Sequence, residues 1–146
     1  MALTFNTYSF QDVTVTFDHT YGKRSSVGAG LGSITVGMTQ TKTVQEVGAD
    51  GVVMVSKVLG ENGTITITVQ QTSQLHKYLI NWYNYINDSS IPTNEWASMT
   101  ITIMSPTMGD VITAYGVSPQ KLADRVYQSQ GQMYSWSLMA AKIIHE

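Results

Sequence analysis

The chain has 146 residues, 42% of them hydrophobic, no cysteine and a formal net charge of −2 at pH 7. This length predicts a single domain spanning residues 1–146 with a sizeable core. Without cysteine, the chain can form neither disulfides nor thiolate metal sites. No apolar run approaches the roughly 20 residues of a membrane-spanning helix, and no secretory signal is visible. We therefore expect neither membrane insertion nor export.

Charge is scarce, because only 12% of the residues are Asp, Glu, Lys or Arg, about half the roughly 25% that is usual in globular domains. The one basic pair, Lys23 and Arg24, is too small for a surface that grips nucleic-acid phosphates. A neutral surface of Thr, Ser, Gln, Asn and Gly does little to repel copies of itself. Composition leaves two interpretations open: an ordinary neutral β protein, or a surface that becomes buried in an assembly.

The first half of the chain reads as an N-terminal arm followed by strands. Residues 1–11 have no clear period, whereas 12–18 alternate Val or Phe with Thr as a half-buried strand does. The Gly/Ser-rich segment 19–32 is predicted to be a loop. Further strands are predicted at 33–38, 42–47, 52–58 and 63–70, with tight turns at 49–51 and 61–63. This succession predicts an antiparallel meander.

A change of period after residue 70 marks the one convincing helix in the sequence. Thr72 and Ser73 both offer N-cap hydroxyls, and the helix is predicted over about residues 73–87. Its apolar side chains recur at spacings of three and four: Leu75, Tyr78, Leu79, Trp82, Tyr83 and Ile86. Because strands surround this helix, its stripe is expected to pack against a sheet.

The second half predicts a loop at 88–95 and strands at 96–104, 111–117 and 133–144. The segment 121–128 fits a helix or a strand, with the strand favoured because a hairpin turn is expected at 130–132. The fold class is therefore mainly β (α+β): an antiparallel β-sandwich or barrel of roughly eight to ten strands with one flanking helix.

The polar faces of these strands carry Thr rather than Lys or Glu. Runs such as ITIT and TITIM contain neither charge nor proline, although exposed strand edges are usually protected by one or the other. Unprotected edges favour a protein that pairs with its own copies.

No catalytic, cofactor or metal residues are predicted. His19, His76 and His145 are scattered, and no His or carboxylate lies three or four residues from His76, which is expected to be a surface or partly packed helix residue. The glycine run at 28–32 leads into a strand and lacks a phosphate-loop lysine, so a turn is favoured. Tyr78, Trp82, Tyr83 and Tyr85 could stack on sugars or bases, but their helical spacing favours a core position, with Tyr85 as the exception.

Three features lie between residues 32 and 79: a Gly-Ser strand start at Gly32 and Ser33, a Gly-Ala-Asp-Gly turn at 48–51 before an apolar strand, and a Thr/Ile strand that leads through Gln-Thr-Ser into the helix. In these features the chain resembles tail tube proteins of contractile-tailed bacteriophages. The order of strands, helix and strands extends the resemblance over nearly the whole chain. Related proteins form the tubes of type VI secretion and of phage-like particles.

The resemblance implies a hexameric ring whose copies stack into a tube through which phage DNA passes without specific binding. The implied partners are the tail sheath protein, the baseplate or tube initiator and the tape measure protein, with no cofactor. The implied location is the virion tail, assembled in the bacterial cytoplasm.

In this family the segment between the early strands often reaches the neighbouring ring. The corresponding segment here is approximately 39–57, so the resemblance implies inter-ring contacts at Glu46, Asp50, Val53, Met54 and Lys57.

Three alternatives remain open from the sequence. The chain could form the tube of a phage-like injection particle or secretion system. It could instead be a monomeric carbohydrate-binding β-sandwich, although it lacks an export signal. A hydrolase on a small barrel would need a cluster of polar residues that the sequence does not show.

Overall fold

The computed structural model describes residue 9 and residues 12–26 and 31–146. Most of the predicted N-terminal arm and the glycines within 28–30 lie outside these residues. Within the described part lie nine strands, one α-helix and a short 3-10 helix at Thr93–Glu95. The strands and the helix are, in chain order, β1 (Thr14–His19), β2 (Gly22–Ser26), β3 (Leu31–Met38), β4 (Thr43–Val47), β5 (Val53–Lys57), β6 (Gly63–Gln70), α1 (Gln74–Ile86), β7 (Met99–Ser105), β8 (Asp110–Pro119) and β9 (Met133–His145).

Seven strands form one antiparallel sheet in the order β2-β1-β7-β8-β9-β6-β3, and β4 and β5 form a separate hairpin. The sheet curls into a half-barrel, which brings Ile34 and Val36 of β3 to the same cavity as Val13, just before β1. The mainly β fold with one helix is thus confirmed.

The alternation read from the sequence gives the sheet an apolar concave face and a hydroxyl-rich convex face. On β6 and β9, Ile67 lies opposite Trp136 and both are fully buried, whereas the adjacent pair of Thr66 and Ser137 faces outward. This pattern follows from the two-residue period of a strand.

Helix α1 packs on the concave face, as its apolar stripe predicts. Ser73, and not Thr72, is the N-cap, since its Oγ accepts a hydrogen bond from His76 N at 3.1 Å. The Tyr78 hydroxyl donates to Gly22 O at 2.7 Å and ties the helix to β2. Trp82 is fully buried, and its ring meets His19 of β1 edge-on.

The predicted meander is wrong. β3 pairs directly with β6, and residues 39–62, which carry β4 and β5, project between them as an excursion. The predicted turn at 61–63 therefore does not join β5 to β6. Instead, Thr39 N donates to Asn62 O at 3.0 Å and closes the base of the excursion. Turn residues cannot show which strand pairs with β3, because the pairing of β3 with β6 is decided by burial on the concave face.

Two further predictions fail in regions without clear periodicity. Residues 22–26, predicted as loop, form β2, which is held to β1 by the ladder pairing Phe17 with Arg24. Residues 121–128 are neither helix nor strand, and the turn expected at 130–132 is part of a long connection from β8 to β9. That connection is anchored by the Tyr134 hydroxyl, which donates to Val126 O at 3.2 Å.

Candidate assembly surfaces

The excursion of residues 39–62, here named the hairpin, exposes several large apolar side chains to solvent. Every residue from 39 to 57 is exposed, and Val47, Val53, Met54 and Val55 show 69%, 48%, 57% and 61% of their surface to solvent. A run of large exposed apolar side chains is typical of a contact surface with another molecule.

The five residues predicted as inter-ring contacts all lie on this hairpin but do not share one face. Because opposite residues of an antiparallel pair lie on the same face, the register gives face A the pairs Val47 with Val53, Gln45 with Val55 and Thr43 with Lys57. Face B carries Glu46 opposite Met54 and Val44 opposite Ser56. The predicted set is thus divided between face A (Val53, Lys57), face B (Glu46, Met54) and the turn (Asp50).

Asp50 has a local role. Its Oδ1 accepts a hydrogen bond from Val52 N at 3.1 Å, and Gly51 follows it with a φ of 85°. Glycine adopts this left-handed conformation at low cost, so the sequence Asp-Gly shapes the turn that connects β4 to β5.

A second surface is the outer edge of β3. In the described sheet this strand pairs only with β6, and its eight residues, LGSITVGM, contain no charge and no proline. At Gly37 an added side chain would meet nothing within 4 Å. The opposite edge strand, β2, is partly covered by α1 through Tyr78. The β3 edge is therefore the less protected of the two.

The convex face forms a third, nearly neutral surface. Cross-strand rows such as Thr16, Thr102 and Thr113 run across it. Its cations lie near acids: Lys23 opposes Asp18 on the neighbouring strand, and Lys142 Nζ lies 4.0 Å from Glu61 Oε2. This face offers hydroxyl groups with little free positive charge.

In the part of the chain that the structure describes, one end of the concave side is not covered by α1. Helix α1 covers the part formed by Phe17, Val69 and Trp136, and beyond it lies a cavity of about 280 Å³. The cavity is lined by Val13, Ile34, Val36, Ile103, Ser105, Met108, Asp110, Ile112 and His145. No sequence pattern predicts this cavity, because its residues come from four separate parts of the chain and share no local spacing.

The histidines in the body of the fold have structural partners. His76 is buried, and its Nδ1 accepts from Trp136 Nε1 at 3.2 Å. Burial lowers the His76 pKa, and the Arg125 guanidinium lowers it further. His19 Nδ1 accepts from Tyr21 N, so its Nε2 donates to Glu95 O, at 3.0 Å each.

The aromatic side chains of α1 are part of the packing and do not form a platform. Trp82 is fully buried, and Tyr78 and Tyr83 are half-buried. Burial is the main reason that the Tyr78 pKa rises to about 12. Tyr85, the expected exception, is also half-buried, and its hydroxyl donates to Glu95 Oε2 at 3.1 Å, which raises its pKa.

Neither a metal site nor a membrane span emerges from the described residues. No group of three or more His, Asp or Glu side chains in that part of the chain could hold a metal ion. None of its helices is long and apolar enough to cross a membrane.

A known protein family matches nearly the whole chain. The profile of the family described as bacteriophage PhiTE tail tube protein matches residues 5–145. The chain belongs to this tail tube family. As a tail tube protein it is a structural component of a phage tail or phage-like particle. No curated protein matches the tail tube chain.

Solved structures share the fold of this tail tube protein at low sequence identity. A chain of the PVC sheath/tube terminator, from an extracellular contractile injection system, has a TM-score of 0.64 at 15% identity, covering 99% of each chain. The PVC sheath-tube complex gives 0.60 at 13% identity, covering 99% of this chain and 93% of the other. The tube terminating cap of the anti-feeding prophage gives 0.59 at 11% identity, covering 100% and 94%.

Proposed function

We propose that this protein assembles into hexameric rings that stack into the inner tube of a contractile phage tail and form the conduit for DNA. Family membership supports the tube role. The main support for self-assembly comes from the hairpin. Its exposed apolar side chains are not part of the core of the described monomer. Such side chains gain their burial energy on contact with another molecule.

Within a ring, the proposed contact is the uncharged β3 edge. A strand with unpaired N–H and C=O groups and no charge or proline is ready to continue its sheet into a second copy. Joined sheets would place the Thr- and Ser-rich convex faces around the lumen. DNA phosphates could pass such a surface without being held, because tight phosphate binding requires free Lys and Arg.

Between rings, the proposed contact is the hairpin, with Glu46, Asp50, Val53, Met54 and Lys57 at or near the interface. Asp50 would act by shaping the turn, as its hydrogen bond to Val52 N indicates. The other four present their side chains to solvent on the two faces of the hairpin.

The proposed partners are a contractile sheath around the tube, a baseplate or tube initiator below it and a tape measure protein within it. Support comes from the similar folds in the PVC sheath-tube complex and the anti-feeding prophage baseplate. In this proposal the tube is assembled in the bacterial cytoplasm and becomes part of the virion.

A second candidate is the tube of a phage-like injection particle, favoured by the fold shared with PVC and the anti-feeding prophage. Particles purified from the producing cells separate the two. Tails joined to DNA-filled capsids indicate a phage, and headless contractile particles indicate an injection system.

Negative-stain electron microscopy with light scattering, over a concentration series of the purified chain, tests self-assembly. The expected result is six-fold rings and stacked tubes with an open lumen, with a scattering mass that grows with concentration. A 16.0 kDa monomer at every concentration, even with a purified baseplate present to nucleate the tube, would contradict the proposal.

A further inference from the structure

Among the described residues, the cavity continues the apolar core beyond α1 and is open to solvent. Val13, Ile103 and Ile112 line it on the same concave side on which α1 packs. Its volume of about 280 Å³ is roughly twice that of an engineered apolar cavity that binds benzene. It therefore has room for aliphatic side chains from outside the chain's own core.

A buried polar group in the cavity also lacks a partner. Ser105 is 7% exposed and lines the cavity, and its Oγ makes no hydrogen bond within the described residues. Buried hydroxyl groups are normally paired, so the unpaired Ser105 Oγ, which itself has almost no exposed surface, is an acceptor or donor that a polar group entering the cavity wall could satisfy. A strand from another molecule would bring both apolar side chains and backbone donors.

The hairpin of a second copy has the matching chemistry on one face only. Face A carries Val47, Val53 and Val55 and a single charge, Lys57. Lys57 lies two residues from Val55, about 7 Å along the strand. The cavity has one acid, Asp110, at its rim and no Lys or Arg among its lining residues. Face B would instead bring Glu46 toward Asp110, and like charges repel.

We infer that this cavity is the receptor for face A of the hairpin from a copy in the next ring. Val53 and Val55 fill the apolar interior, Lys57 lies near Asp110, and backbone groups of β5 reach the Ser105 hydroxyl. The inference rests on the proposed self-assembly and adds to it the site at which the hairpin binds.

Engineered disulfides test this docking directly, because the chain contains no cysteine. Ser105→Cys is combined with Val47→Cys, Val53→Cys or Val55→Cys, each on face A. The matched control combines Ser105→Cys with Met54→Cys, which lies beside Val53 and Val55 on face B. All variants are checked for rings by electron microscopy and then mildly oxidised.

A ladder of covalent multimers on a non-reducing gel is expected from at least one face A pair and not from the control. Disulfides form only when the two Cα atoms lie within about 7 Å, so the ladder reports docking. Tubes that yield no ladder with any face A pair, or an equal ladder with the control, overturn the docking site and leave the proposed function standing. Absence of rings in the wild-type chain overturns the proposed function and the docking site with it.

Reactivity of the single Met108→Cys variant toward a soluble maleimide provides a second measure, since Met108 lines the cavity and is 58% exposed. The thiol should react in dissociated subunits and lose most of its reactivity in tubes. Equal reactivity in both states overturns the inference, since the cavity would then stay open in the assembly. Protection in tubes without any face A ladder also overturns it, because another segment would then fill the cavity.

Discussion

Strands β6 and β5 have similar side chains and opposite surroundings. Ile65, Ile67 and Val69 of β6 are all fully buried, whereas Val53 and Val55 of β5 show 48% and 61% of their surface. β6 has β3 and β9 on its two edges, whereas β5 pairs with β4 alone among the described strands. The comparison shows that an apolar strand in this protein either builds the core or remains available for another molecule.

The two strands also differ in when the free energy of burying their apolar side chains is gained. Burying a Val or Ile side chain is worth about 1.5–3 kcal/mol. In β6 this free energy is gained when the chain folds, and in β5 it is gained only when a second molecule covers the strand. Substitutions in the two regions should therefore affect different measurements.

Val53→Asp combined with Met54→Asp should have the largest effect and prevent stacking of rings. Each substitution places a carboxylate on a different face of the hairpin, and burying an unpaired carboxylate is very costly. Thermal unfolding of the subunit should be almost unchanged. The apolar control Val53→Ile with Met54→Leu should still give tubes. Tubes of normal length from the Asp variant would show that the hairpin is not the contact.

Trp82→Ala should destabilise the subunit by about 3–5 kcal/mol in urea unfolding, because the side chain is fully buried. Met54→Ala should change the same free energy by less than about 0.5 kcal/mol, as surface changes usually do. Trp82→Phe retains an aromatic ring and removes the Nε1–H group, which has no hydrogen-bond partner among the described residues. It should cost far less than the alanine variant. Equal costs for Trp82→Ala and Met54→Ala would abolish the distinction between the two regions.

Ser73→Ala should cost about 1 kcal/mol, the usual value for removing an N-cap hydroxyl. Its neighbour Thr72 provides the control: Thr72 is exposed and is not the N-cap, so Thr72→Ala should be close to neutral. Urea unfolding of the two variants measures the difference. A larger loss for Thr72→Ala would mean that the helix begins one residue earlier.

The smallest effect concerns pH. The His76 pKa is lowered in the folded protein from 6.5, first by burial and then by Arg125, so the unfolded chain binds the proton more readily. Stability is therefore full above pH 6.5 and falls as the pH drops from 6.5 toward the lower folded pKa. His76→Gln keeps an acceptor for Trp136 Nε1 and should remove this dependence. An unchanged pH profile in that variant would show that other groups cause it.

Periodic segments of the sequence predict their structure well. Strand alternation at Ile65–Val69 and helical spacing at Leu75–Ile86 each follow from a dominant burial direction, and both predictions are confirmed. The sequence predicts either Thr72 or Ser73 as the N-cap of α1, since a hydroxyl at either position can accept a hydrogen bond from the first turn. Only the structure shows that Ser73 accepts it.

Long-range pairing is what the sequence does not reveal. Nothing local distinguishes β3 pairing with β4, as in the predicted meander, from β3 pairing with β6, because both partners are short strands that follow a turn. Strand β2, with its Lys23 and Arg24, lacks an apolar alternation of its own and depends on the ladder with β1. The cavity around Ser105 exists only because the sheet curls. The hairpin residues were predicted through family resemblance, and their contacts remain a proposal.

Deleting the hairpin is the most direct test of the central claim that it serves assembly and not folding. The two ends of the hairpin lie side by side, because Thr39 N donates a hydrogen bond to Asn62 O at 3.0 Å. A short Gly-Ser turn can therefore replace residues 41–59. Thermal unfolding and electron microscopy are then compared with the full chain. We predict a similar unfolding midpoint and rings that no longer stack. A variant that unfolds, or one that still forms long tubes, would contradict the claim.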